Sequence, residues 1–136
     1  MPDDGGNELA AELARERSGR LSRRLLGAFW VAAGINHFVN PRFYEAMVPP
    51  SLASEKELVV QVSGMAELAG GLAVFVPSLR RLTGVYLIGL LAAIFPANLF
   101  MAREPGRFGN VPRWALYARL PLQPLMAVWA WRATRA

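Results

Sequence analysis

Five polar side chains stand out in a chain that is otherwise largely apolar: His37, Glu67, Asn98, Arg119 and Gln123. Glu67 interrupts the apolar stretch 58–79, and Asn98 follows Pro96 inside a run with no formal charge. Arg119 and Gln123 are four residues apart, so on a helix they share one face. A buried polar group costs free energy unless something satisfies it, so each of the five needs a reason. A carboxyl and an imidazole handle protons, which makes Glu67 and His37 the candidate catalytic groups. A guanidinium binds an anion or a polar head, and Asn98 and Gln123 donate and accept hydrogen bonds. A Glu67–Arg119 pair would keep both charges and join two helices. On the other reading, the same residues only glue helices together. His37 is the sole histidine and cysteine is absent, so no metal site is read, and His37 is expected to bond a neighbour or cap its helix.

The elements that position these groups are apolar segments. Leu82 to Ala102 holds 21 uncharged residues, and a helix of that length spans roughly 30 Å, the thickness of a bilayer core. Three further apolar blocks predict an all-α, four-helix transmembrane bundle with spans near 22–39, 58–79, 82–102 and 112–131. Arg20, Arg23 and Arg24 ahead of Leu25 resemble the start of a signal peptide, but the run continues, and it is read as an uncleaved first span. Residues 1–21 form a polar tail, partly helical over 8–17 or disordered, and residues 133–136 a short second tail. Between the first two spans, Arg42 to Val48 reads as an interfacial helix with Phe43, Tyr44 and Met47 toward lipid. Gly64, Gly70 and Gly71 offer a smooth packing face on the second span, and Gly89, Ala93 and Ala97 a second one on the third. The tryptophans read as interfacial belts.

The 136 residues suffice for one domain, are 54% hydrophobic and 18% charged, and carry a net charge of +5. The arginines lie between apolar blocks, not in one patch, which argues for topology and against nucleic acid. Nine of them fall on the side of the two termini and the 77–81 turn, against five Lys and Arg on the other side. The positive-inside bias then places both termini in the cytoplasm of a plasma-membrane protein. The absence of cysteine excludes thiol chemistry within this chain.

Several short pieces resemble the DoxX family of small bacterial membrane proteins. They are Gly34-Ile35-Asn36-His37-Phe38 with Pro41, Ser63-Gly64 with Glu67 and Gly70-Gly71, Phe95-Pro96-Ala97-Asn98, and Arg119-Leu120-Pro121-Leu122-Gln123. The resemblance implies a four-helix membrane domain and a link to membrane redox complexes. It transfers no catalytic set.

Three functions remain open on this reading. One is a redox-associated membrane subunit that binds a quinone or a small oxyanion in an outward-facing pocket lined by Glu67, Asn98, Arg119, Gln123 and His37. The second is a carrier or binding protein for a small lipid or solute. The third is a structural or assembly subunit. The expected partners are the lipid bilayer and a protein of a membrane redox complex; no intrinsic cofactor is evident beyond a quinone.

Overall fold

The computed structural model describes residues 4–136, and the described residues form five α-helices joined by short 3-10 turns, with no strand among them. The all-α expectation holds. Helix α1 spans Asp4–Val39, α2 Pro41–Met47, α3 Lys56–Ala73, α4 Arg80–Arg103 and α5 Arg113–Arg135. Every junction is marked by proline: Pro41, Pro49-Pro50, Pro77, Pro105 and Pro112. A residue before proline avoids the α region, and a proline at the first helical position loses no hydrogen bond; Pro41 opens α2, Pro50, Pro77 and Pro105 open the 3-10 turns, and Pro112 immediately precedes α5.

The N-terminal segment differs from expectation. No boundary falls at residue 21, because 4–21 continues without a break into α1, 36 residues in all. Ala, Leu, Glu and Arg are strong helix formers, and Glu16 and Arg20 stand at the favourable four-residue spacing. The short C-terminal tail is likewise helical to Arg135.

The long helices pack as two tight pairs, α1 on α3 and α4 on α5, with α2 tucked against α1, α3 and α4. The α1–α3 seam is made by glycine facing glycine. A methyl group on Gly34 would sit 2.8 Å from the Gly64 carbonyl oxygen, and one on Gly64 3.2 Å from that of Gly34. Seven residues away on both helices, Gly27 and Gly71 repeat the arrangement at 3.0 Å each way. No side chain fits there, so the backbones touch. In the second pair, Gly84 abuts the Thr134 hydroxyl. Gly70 receives Leu87 and Tyr86, and the Tyr86 hydroxyl donates to the Ala66 carbonyl at 2.8 Å, which ties α3 to α4. The second smooth face expected on α4 is not used: Gly89 faces open space, and Ala93 and Ala97 line a cavity.

Two apolar clusters close the bundle. Leu26, Trp30, Val74, Leu87, Leu91, Ala130 and Ala133 fill the end where α1 meets the end of α5; Met47, Met101, Phe108 and Leu116 fill the other. Helix α2 does not lie outward at an interface. Met47 is buried, and Phe43 and Tyr44 pack against that second cluster, because the break at Asn40-Pro41 turns the chain back over the bundle end. Trp30 is 2% exposed and belongs to the core, whereas Trp114 and Trp131 are exposed. Pro96, Pro121 and Pro124 sit inside helices that continue through them. Each removes one ladder bond, leaving the carbonyls of Ala92, Tyr117 and Leu120 without their usual partner.

The four-span, multi-pass reading, and the two-termini-inside topology built on it, are corrected. One stretch, Pro77–Arg103, is long and apolar enough to cross a membrane, with a mean hydropathy of 2.0 over its best window. The other three long helices fall short for visible reasons. The apolar part of α1 is confined to 25–39, α3 carries Lys56, Glu57 and Glu67, and α5 carries Arg113, Arg119 and Gln123.

The seam makes a direct prediction. Gly34→Leu should destabilise the protein by about 1–3 kcal/mol or prevent folding, as forced overpacking does. Gly89→Ala should leave stability unchanged or raise it by up to about 1 kcal/mol, because the site is open and alanine is the better helix former. Thermal unfolding of the two variants checks both, and equal losses would count against the seam.

Candidate functional site

The five polar residues come together between the two apolar clusters. His37 lies near the end of α1, Glu67 in α3, Asn98 in α4, and Arg119 and Gln123 in α5. His37, Glu67, Asn98 and Gln123 are each buried to 7% exposure or less, and Arg119 is half-buried. The glycine seam sets the first contact. Gly64 lets the His37 backbone approach, and Glu67 projects one turn further along α3. His37 Nδ1 and Glu67 Oε2 consequently lie 3.3 Å apart. Nδ1 also lies 2.9 Å from the Ala33 carbonyl oxygen, which can only accept, so the ring carries its proton on Nδ1 and donates it there. Glu67 Oε2 thus has imidazole beside it but no hydrogen bond.

The expected Glu67–Arg119 ion pair does not form; no Arg119 nitrogen lies within 4 Å of the carboxylate oxygens among the described residues. Arg119 Nε instead donates to Asn98 Oδ1 at 3.0 Å. Neighbouring helices α4 and α5 form a tight pair, so the guanidinium finds the amide before it can reach across to α3. Asn98 thereby links α4 to α5.

Tyr44 was not foreseen as part of the cluster. Its ring stacks on His37 at 3.7 Å between centroids and 23° between planes, and its hydroxyl accepts from Asn36 Nδ2 at 2.8 Å. Burial pushes the phenol above its ordinary pKa. The one sequence signal was the helix break at Pro41, which returns residue 44 toward residue 37.

Two cavities flank this cluster. The smaller, about 210 Å³, lies between α2, α3 and α4 and is bounded by Met47, Val60, Pro96 and Ala97. The larger, about 600 Å³, lies between α1, α4 and α5 and is walled by Phe29, Trp30, Leu91, Ile94, Leu122 and Met126. His37, Tyr44, Glu67, Asn98 and Arg119 line both, and Gln123 lines the larger. Among the described residues four buried side-chain polar atoms lack a hydrogen-bond partner: Trp30 Nε1, Glu67 Oε2, Arg80 Nε and Gln123 Nε2. Three of the four residues line the larger cavity. No group of three or more candidate metal ligands occurs among the described residues. The larger cavity is therefore apolar-walled, and three of its lining residues carry two unpartnered N–H donors and one unpartnered carboxylate oxygen.

The Arg119–Asn98 contact is open to a double-mutant cycle on thermal stability. Asn98→Leu and Arg119→Leu should each destabilise, and the double variant should lose less than the sum by about 0.5–3 kcal/mol. Combining Arg119→Leu with Glu67→Leu should show the smaller interaction energy; the reverse ranking would place Arg119 on Glu67.

A family profile described as "Domain of unknown function (DUF8561)" matches residues 26–134, from the first core residue of α1 to near the end of α5. The chain belongs to that family. This corrects the DoxX resemblance: the short pieces that suggested it do not carry that family's profile, and the redox-complex link they implied goes with it. No curated protein and no solved structure matches the chain.

Proposed function

We propose that this member of the DUF8561 family is a membrane-associated binding protein whose larger cavity takes a quinone. The observation that carries the reading is the convergence of Trp30 Nε1, Gln123 Nε2 and Glu67 Oε2, all buried and unpartnered, in residues lining one apolar cavity. Proteins rarely leave buried polar groups unsatisfied, and each one costs about 1–3 kcal/mol. A quinone suits them on both counts. Its flat ring and tail match walls of Phe29, Leu91, Ile94, Leu122 and Met126. Its carbonyl oxygens accept from an indole and an amide N–H, and the hydroxyl of its reduced form donates to a carboxylate. A volume of 600 Å³ falls within the usual range for small-ligand sites. A small hydrophilic oxyanion fits less well, since it would strand the apolar wall and face the Glu67 carboxyl.

Membrane association is supported by the Pro77–Arg103 stretch and by large apolar side chains exposed on all four long helices. Phe29, Phe38, Val62, Met65, Leu72, Leu82 and Leu125 are all large, apolar and exposed. Exposed large apolar side chains in this number favour contact with lipid or a partner.

A short-chain ubiquinone analogue at about 100 times its Kd should stabilise the detergent-solubilised protein by about 2.7 kcal/mol, read as a rise of several degrees in the thermal midpoint. Gln123→Leu should abolish most of that rise while leaving the ligand-free midpoint unchanged or higher, because it removes an unsatisfied buried donor. Glu67→Gln should weaken the rise as well. A lower ligand-free midpoint for Gln123→Leu, with the quinone effect intact, would assign Gln123 to packing. A rise with phospholipid or thiosulfate but not with the quinone would keep the site and change its ligand.

A further inference from the structure

The two ends of the bundle are charged very differently. At the end formed by residues 15–24, 77–81 and 132–136 there are nine arginines and one acidic side chain, Glu16. At the other end Arg42, Lys56, Arg103, Arg107 and Arg113 are nearly balanced by Glu45, Glu55, Glu57 and Glu104. We infer that the arginine-rich end is a binding surface for anionic phospholipid headgroups, centred on Arg20, Arg23 and Arg80. This rests on the membrane association proposed above, and it concerns a different place from the quinone cavity.

The geometry is that of a basic cluster in which, among the described residues, no Asp or Glu side chain is paired with Arg20, Arg23 or Arg80. Arg23 Nη1 donates to the Ala136 carbonyl oxygen at 2.7 Å, which brings α1 against the end of α5. Trp129 Nε1 donates to Ser22 Oγ at 2.9 Å and holds the same two helices together. Arg80, the first residue of α4, stands close enough to Arg23 to repel it, as does Arg20 one turn back on α1. With partial burial as the larger cause, this repulsion holds Arg23 below the ordinary arginine pKa. Arg80 Nε is buried and has no hydrogen-bond partner. No Asp or Glu side chain pairs with any of the three within 4 Å among the described residues. Like charges kept this close are a standing cost that an arriving anion removes, and guanidinium forks match phosphate oxygens in geometry.

The surroundings select a lipid over a free anion. Leu21 and Leu25 on α1, Leu79 just before α4 and Leu82 within it are all exposed beside the arginines. A phosphate seated at Arg20, Arg23 and Arg80 therefore has apolar surface directly next to it, along which acyl chains can lie. Basic residues near a membrane surface each contribute about 1 kcal/mol of attraction to anionic lipid.

The test uses the full chain reconstituted from an equimolar mixture of phosphatidylglycerol and phosphatidylcholine, with retained lipids counted by native mass spectrometry. The wild type should retain phosphatidylglycerol at least five-fold over phosphatidylcholine. The Arg20→Gln/Arg23→Gln/Arg80→Gln variant should bring that ratio near one, and Arg80→Gln alone should lower it. Arg42→Gln/Arg103→Gln/Arg107→Gln, at the opposite end, should keep the wild-type preference. Equal retention by the wild type, or an unchanged preference in the triple variant, overturns the inference. Loss of bound phosphatidylglycerol on adding millimolar inorganic phosphate would make the occupant a free anion and also overturn it. Flotation with pure phosphatidylcholine vesicles separates the two readings. Flotation without a phosphatidylglycerol preference removes this inference alone, and failure to float removes the membrane association beneath it.

Discussion

The structure depends on two helices whose backbones touch. Along the α1–α3 seam, Gly27 faces Gly71 and Gly34 faces Gly64, each glycine blocking any side chain on the other. Such closeness multiplies backbone dispersion contacts, each individually small. It also fixes the register of α1 on α3, because the two contacts are seven residues apart on both helices and a slip would drive a side chain into a carbonyl. The register in turn puts His37 beside Glu67. The pairing at the site is thus a product of residues that carry no chemistry.

The polar cluster lies between two apolar clusters. Core residues from Leu26 to Ala133 pack on one side of it and those from Met47 to Leu116 on the other, so the amides and the carboxyl are buried among apolar side chains. Hydrogen bonds gain strength there, and unsatisfied groups become costlier. The structure spends that cost unevenly. Asn98, Arg119, His37, Tyr44 and Asn36 are partnered, whereas Glu67 Oε2 and Gln123 Nε2 are not. Residues that only glued the helices would be expected to pair with each other first.

Much of the site was legible in the sequence, and the reason is energetic. His37, Glu67, Asn98, Arg119 and Gln123 could be singled out because each is expensive to bury, and all five line the cavities. Their pairing was not legible, since Arg119 has an amide on its neighbouring helix nearer than the carboxylate on a more distant one. Helix ends were legible wherever proline marked them. The continuity of α1 was not, because a run rich in Glu and Arg reads equally as solvated coil or solvated helix. The inward turn of α2 was lost for a different reason: seven residues with aromatic side chains at adjacent positions have no face that periodicity can assign. Short motifs misled on family because residue pairs such as Asn-His or Pro-Ala-Asn recur wherever a helix end or a helix kink is built.

The prolines give the chamber a mechanical asymmetry. Pro96 in α4 and Pro121 and Pro124 in α5 all fall at the level of the cavities, while α1 and α3 carry no proline at that level. One half of the wall is therefore stiff, bolted together backbone to backbone. The other half lacks three rungs of its internal ladder and is the compliant side. A load on this wall would be taken up first by bending α4 and α5, with the spacing of His37 and Glu67 held by the glycine seam. A wall of this construction is built like a vice with one fixed jaw and one that yields.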